Sequence, residues 1–231
     1  MIFIGDIHGD FNGIVFEINK FNIKNKNFIQ VGDFGIGFSK NDLSLLKQVN
    51  ENLIKKNCML YVCRGNHDNP LHFDIELWDR FSNIKFVPDY TVLKIENKKV
   101  LFIGGGISID RTQRTVNVSY WENEKILFNL DKVKEIAAEI NIIVSHSAPK
   151  QFTPQIEGQI VYTWAKYDFT LLEELREERN KFQELCDEII KLNPKRKLKW
   201  FYGHFHHSKQ GLYKNITYRL LDCNEWFELK K

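Results

Sequence analysis

Five short apolar runs in this chain each stop at residues able to bind a metal ion, and this recurrence constrains the fold more than any other feature. Ile2–Ile4 leads into Gly5-Asp6-Ile7-His8-Gly9-Asp10, and Phe28–Val31 leads into Gly32-Asp33. Met59–Cys63 leads into Arg64-Gly65-Asn66-His67-Asp68. Ile142–Val144 leads into Ser145-His146, and Trp200–Tyr202 leads into Gly203-His204-Phe205-His206. Apolar runs this short read as buried strands. Glycine beside most of the polar residues lets the backbone turn sharply and approach a ligand. In an α/β protein, the loops at the C-terminal ends of strands are where ligands bind.

The rest of the chain supports that class. Further strands are expected at Val100–Ile103 and Ile216–Leu221, and at Thr91–Glu96, paired with Val100–Ile103 across Asn97-Lys98-Lys99. Leu43, Leu46, Val49, Leu53 and Ile54 recur at helical spacing, with Ser39 or Asn41 as cap, and Val133, Ile136, Ala137 and Ile140 predict a shorter helix. The longest helix is expected from a capping box at Thr170-Leu171-Leu172-Glu173 to Asn193-Pro194. Its apolar face is Leu171, Leu175, Phe182, Leu185 and Ile189, and its charge run Glu173, Glu174, Arg176, Glu177, Glu178 and Arg179 reads as a solvated surface. Gly104–Ser119 and Ser147–Phe169 show no periodicity and read as ligand loops.

Composition narrows the function classes. At 231 residues the chain is long enough to bury a full core without disulfides or structural zinc. Its net charge of +3 gives no support for nucleic acid as a partner. No apolar stretch is long enough to span a membrane. Met1-Ile2-Phe3-Ile4 opens the chain without a charged leader, so the native start is expected here and the location in the cytoplasm, with Cys58 and Cys63 as reduced core residues.

Taken singly, Gly32-Asp33 is an ordinary turn and His146 an ordinary core histidine. Taken together, the strand-end motifs hold five of the seven histidines, leaving only His72 and His207 as surface or supporting residues. Asp6-x-His8 and His204-x-His206 have the spacing that places two side chains on one side of an extended segment. Carboxylate, imidazole and one amide oxygen suit manganese, iron, cobalt, nickel or zinc, and do not suit calcium. Seven ligands exceed the needs of one ion, so two divalent ions sharing a carboxylate is the economical reading.

The series Asp6-x-His8, Gly32-Asp33, Gly65-Asn66-His67-Asp68, His146 and Gly203-His204-x-His206 resembles the calcineurin-like metallophosphoesterase superfamily, over nearly the whole chain. The resemblance implies an α/β (α+β) four-layer αββα sandwich with two central mixed sheets, here as one domain over residues 1–231. It implies that Asp6, His8 and His206 hold one ion and that Asn66, His146 and His204 hold the other, with Asp33 bridging. Manganese is the first expectation for both. His67 matches the family histidine near the leaving-group oxygen and is expected to act as general acid. The implied reaction is hydrolysis of a phosphate ester by a metal-activated hydroxide. A phosphomonoester such as a phosphoprotein or nucleotide is the first expectation. A phosphodiesterase or nuclease is the alternative, and a non-catalytic metal-binding scaffold a lesser one.

The departures are informative. The protein phosphatase branch carries G-D-x-x-D-R-G, and here Gly32-Asp33-Phe34-Gly35-Ile36-Gly37 lacks the second aspartate and the arginine. The aspartate that usually orients the histidine is therefore missing at Ile36. Gly104-Gly105-Gly106 leads to Asp110-Arg111 and then Trp121-x-x-Glu124, similar to a bacterial and phage branch. Arg111 and Arg114 are the candidates for substrate-phosphate clamps, since a guanidinium fork pairs bidentately with phosphate oxygens. Phe152, Tyr162, Trp164 and Tyr167 are candidates for a lid or for stacking a nucleobase.

Overall fold

Alternation along the strands builds the layers. In the computed structural model, which describes residues 1–154 and 157–230, β1 (Ile2–Ile4) turns Ile2 and Ile4 to one side and Phe3 to the other. Strands β2 (Asn27–Gln30) and β3 (Met59–Val62) repeat the pattern, with Phe28, Leu60 and Val62 on the side of Ile2 and Ile29 on the side of Phe3. The first side is covered by α1 (Phe11–Lys20) and α2 (Asp42–Lys55), through Phe11, Ile14, Ile18, Leu46, Val49 and Leu53. The second faces another sheet: Phe3 stacks on Phe201 with ring centroids 3.6 Å apart. Both faces of these strands are thus withdrawn from water, which is why they read as unbroken apolar runs.

With β4 (Ile84–Phe86) and the final strand β11 (Trp226–Glu228), the first sheet has the order β11-β1-β2-β3-β4, parallel except for β11 against β1. The second sheet contains β5 (Thr91–Ile95), β6 (Lys98–Ile103), β7 (Ile142–Ser145), β8 (Leu198–Tyr202), β9 (Lys209–Tyr213) and β10 (Ile216–Leu220), in the order β5-β6-β7-β8-β10-β9. Its β6, β7, β8 and β10 are parallel, and β5 and β9 are antiparallel edges. Helices α3 (Leu130–Ile136) and α5 (Leu171–Leu192) cover its outer face through Val133, Phe182, Leu185 and Ile189. Two mixed sheets therefore lie between helical layers, as the resemblance implied.

Several expectations change in detail. The turn between β5 and β6 is Glu96-Asn97, both with positive φ (46° and 63°), so the second strand starts at Lys98. Helix α1 begins at an Asp10 cap that accepts from the Gly13 N–H at 3.0 Å; its apolar residues at 11, 14 and 18 had the helical period. No capping box forms at Thr170. Its hydroxyl bonds Asp168 and Glu174 instead, and Asp168 Oδ1 accepts from the Thr170 N–H. Nor is the whole charge run of α5 solvated: Glu178 and Arg179 are buried. Position 178 falls in the same stripe as Leu171, Leu175, Phe182 and Leu185, so the spacing placed it on the covered face. Burial there is offset in part, since Arg179 Nη1 pairs with Glu178 Oε1 at 2.7 Å and Ser147 Oγ donates to that carboxylate at 3.0 Å.

Candidate metal centre

The C-terminal ends of β1, β2 and β3 meet those of β7 and β8, and the strand-end residues of both sheets converge there. Ligand atoms of Asp6, His8, Asp33 and His206 lie within 4.8 Å of one another, as do those of Asp33, His146 and His204. Asn66 Oδ1 is 2.9 Å from His146 Nε2 and so joins the second group. Asp33 belongs to both: Oδ1 is 3.0 Å from His146 Nε2, and Oδ2 is 4.0 Å from His8 Nε2. All seven sequence-predicted ligands are therefore brought together. The local backbone differs from the extended pairs expected, because His8, His204, His206 and Asp33 have φ of 46°, 72°, 48° and 55°. Left-handed conformations in non-glycine residues cost about 1–3 kcal/mol each and cluster at functional sites. The glycines make room: a Cβ at Gly203 would strike the Asp6 carboxylate, and one at Gly32, itself at φ 106°, the His146 ring.

The donor set fits a cation. His8 Nε2 lies 3.1 Å from His206 Nε2, and His146 Nε2 3.2 Å from His204 Nδ1. Facing nitrogens this near repel unless a proton or a metal ion lies between them. Asp6 Oδ1 is buried with no partner among the described residues, while Oδ2 accepts from the His204 N–H at 2.9 Å. The charges respond to the crowding. Burial opposes ionisation of Asp33, yet His146, His67 and His8 hold its carboxyl well below the usual range. Burial likewise opposes a charge on His146, but Asp33 and then Asp6 push it up to about 9. Burial and the neighbouring His146 lower His204 well below the usual imidazole range.

A second ring of residues fixes the candidate ligands, and most of it was not read from sequence. His146 Nδ1 lies 3.2 Å from the Val31 carbonyl, which aims Nε2 at the centre. Gln30 is buried and accepts from the Gly32 N–H at 3.0 Å, bracing the turn that presents Asp33. Asp68 accepts from the Gly65 and Gly35 N–H groups, each at 2.7 Å, tying the β2 and β3 loops together. Asn66 Nδ2 donates to Ser108 Oγ at 2.9 Å, and the Ser108 N–H donates to Glu124 Oε1 at 2.7 Å, so Glu124 orients the amide oxygen of Asn66 through Ser108. Arg64 holds that segment by donating to the carbonyls of Asn123, Glu124 and Lys125 and to Asp89. Cys223 Sγ also lies within 4.8 Å of ligand nitrogens of His8 and His206, and no motif announced it.

Burial pushes Glu124 up to about 7, so below that pH the native state keeps a proton that the unfolded chain releases above about 4.5. Its contribution therefore lowers stability as pH rises through this window, by up to about 3 kcal/mol. Glu124→Gln is expected to gain stability relative to wild type by up to that amount between pH 4.5 and 8 in metal-free urea titrations. It is also expected to weaken divalent-ion binding roughly 10- to 100-fold, as loss of a group that orients a ligand does. Equal pH dependence of the two proteins would remove Glu124 from this role.

A model of the family described as calcineurin-like phosphoesterase matches residues 1–208. The chain belongs to that family. Among solved structures, the phosphoesterase is similar to TT1561 of Thermus thermophilus, with 11% identity, 96% of this chain and 89% of that chain covered, and a TM-score of 0.55. Weaker likenesses include phosphopantetheinyl hydrolase of Mycobacterium tuberculosis (11% identity, 96% and 89% covered, TM-score 0.48). They also include a 5′-nucleotidase of Candida albicans (14% identity, 96% and 45% covered, TM-score 0.48). No curated protein sequence matches. The chain is a metallophosphoesterase, and no helix among the described residues is long and apolar enough to cross a membrane.

Around the centre of the phosphoesterase, a cleft of about 550 Å³ takes in His67, Asp110, Arg114, Trp164, Arg179 and Phe205. Arg114, one of the two arginines expected to meet phosphate, lines this cleft. Its Nη2 is 2.6 Å from His67 Nε2, and its Nε pairs with Asp110 Oδ1 at 2.7 Å. Phe38 stacks on the other side of His67, with ring centroids 5.9 Å apart. Arg114 and Phe38 thus position the histidine, while Ile36 is buried in the core. Burial and Arg114 lower His67 to about 4 against the pull of Asp33. Arg111 is a correction: its guanidinium is engaged by Asp168 at 2.6 Å and by Glu174 at 2.7 and 3.0 Å, outside the cleft. It fastens its loop to α5 and is not a phosphate clamp. The 147–169 segment also divides. Phe152 is core, stacked on Tyr218 at 4.3 Å, Tyr162 and Tyr167 are exposed, and Trp164 alone of the four lines the cleft. Gln155 and Ile156 lie outside the described residues.

Proposed function

We propose that this phosphoesterase hydrolyses a phosphate monoester at a two-ion centre, with Asp6, His8 and His206 holding one divalent ion, Asn66, His146 and His204 the other, and Asp33 shared. The observation that supports it is the sharing of Asp33 between two groups of converging ligand atoms. When bound, such ions polarise phosphoryl oxygens and provide a nucleophile from water at neutral pH. Manganese is the first candidate among the borderline divalent metals that this donor set suits.

The chain's own residues do the rest. A monoester dianion entering the cleft draws the Arg114 guanidinium toward its oxygens, because a charge-assisted bidentate pair is stronger than one bond to a neutral ring. Asp110 keeps the guanidinium on the cleft wall as it turns. That movement frees His67 Nε2, which takes up a proton from solvent because the dianion's charge favours one there. His67 gives this proton to the departing oxygen and reverts to the neutral ring.

The test is hydrolysis of p-nitrophenyl phosphate against bis-p-nitrophenyl phosphate with Mn²⁺. Dominant monoester turnover is expected. Dominant diester turnover would make the chain a phosphodiesterase, and inertness on both with metal bound would overturn the hydrolase reading.

A further inference from the structure

The cleft has two unlike walls. One is the metal centre with His67 and Arg114. The other is apolar: Ile107, Val161, Trp164, Leu175 and Phe205. This second wall is built rather than incidental. Ile107, Val161 and Leu175 are buried together with Leu171 in a small core of their own, and Trp164 packs against it. It joins α4 (Gln159–Trp164) and α5 to the loop that follows β6.

Hydrogen-bonding groups are scarce on that wall among the described residues. Arg179 reaches it, but its guanidinium carbon lies 4.9 Å from the Phe205 ring centroid and its Nη1 donates to Glu178. Its Nε and Nη2 are buried and have no partner among the described residues. The N–H donors of a nucleobase edge or of a phosphopeptide backbone would meet no acceptor among these side chains; each unpaired buried group costs about 1–3 kcal/mol. An apolar body loses nothing on entry and gains by leaving water.

We propose, resting on the hydrolase reading above, that the substrates are phosphomonoesters of small hydrophobic alcohols or phenols, whose uncharged apolar leaving group lodges against Val161, Trp164, Leu175 and Phe205. Phosphorus sits at the metal centre, and the ester oxygen lies between the two walls. Selectivity then comes from contact area and not from hydrogen bonds. Each methylene added to the leaving group and buried raises kcat/KM about three- to fourfold.

The experiment is an n-alkyl phosphate series from ethyl to octyl, assayed with the Mn²⁺-loaded full chain, with phosphoserine and 5′-AMP as polar controls. Leaving-group basicity hardly changes along the series, so the slope reports burial and not chemistry. A rise of about three- to fourfold per carbon over the first several members is expected, with both polar controls below hexyl phosphate. Trp164→Ala and Val161→Thr are expected to flatten the slope; using two substitutions guards against one that disturbs the fold. A flat or falling series in an enzyme active on p-nitrophenyl phosphate would overturn the inference and leave the hydrolase reading standing. Higher activity on 5′-AMP or phosphoserine would do the same. Inertness on every ester with two ions bound would overturn both.

Discussion

Asp33→Asn is expected to fold, to keep at most one of two divalent ions after dialysis, and to lose at least about a thousandfold in kcat/KM, roughly 4 kcal/mol of transition-state stabilisation. The reason lies in how its oxygens are divided. Oδ1 faces His146 at 3.0 Å and Oδ2 faces His8 at 4.0 Å, so each serves one group of ligands. An amide keeps one acceptor and turns N–H donors toward the other group, where a cation would be repelled. Oδ1 also accepts the His67 backbone N–H at 2.7 Å, a contact the amide oxygen can retain, so the loop should stay in place. Metal analysis of the dialysed protein together with kcat/KM on p-nitrophenyl phosphate checks this. Activity within tenfold of wild type would mean that Asp33 does not bridge.

His67→Ala is expected to act according to the leaving group. Proton donation contributes roughly 10²–10⁴ to a rate, and only where the departing oxygen is basic. Ethyl phosphate turnover should therefore fall by about that factor, whereas p-nitrophenyl phosphate, whose leaving group departs readily as an anion, should lose far less. The structure makes the case demanding, because Arg114 Nη2 occupies the atom that must carry the proton, at 2.6 Å. Arg114→Met should raise KM for both esters through loss of the phosphate contact. An equal loss on both esters for His67→Ala would show that the histidine holds phosphate and does not donate a proton.

The convergence of the seven candidate ligands was legible because chemistry at a strand end is local: each follows a buried run whose apolar residues announce it. Long helices were legible for the same reason, since α2 and α5 carry their period in sequence. The supporting residues were not. Glu124, Ser108 and Asn66 form one chain of hydrogen bonds across distant segments, and nothing near Glu124 shows which donor it will meet. Arg111 and Arg114 looked alike in sequence, and their places divided because Asp168 and Glu174 of a later segment engage the first while the second lines the cleft. The edge strands β4 and β11, at three residues each, had too few residues to show alternation, and the Lys-Gln-Gly-Leu-Tyr run of β9 carries no apolar alternation. Arg179 was misread because a charge run was taken as one face, although the spacing of Leu175, Glu178 and Phe182 put part of it inside.

Low-temperature electron paramagnetic resonance of the Mn²⁺-loaded protein tests the shared-carboxylate pair of ions most directly. Two ions per chain with the multiline signal of an exchange-coupled manganese pair are predicted, collapsing to an isolated-ion signal in Asp33→Asn. Full activity with a single ion per chain and no coupling would contradict it.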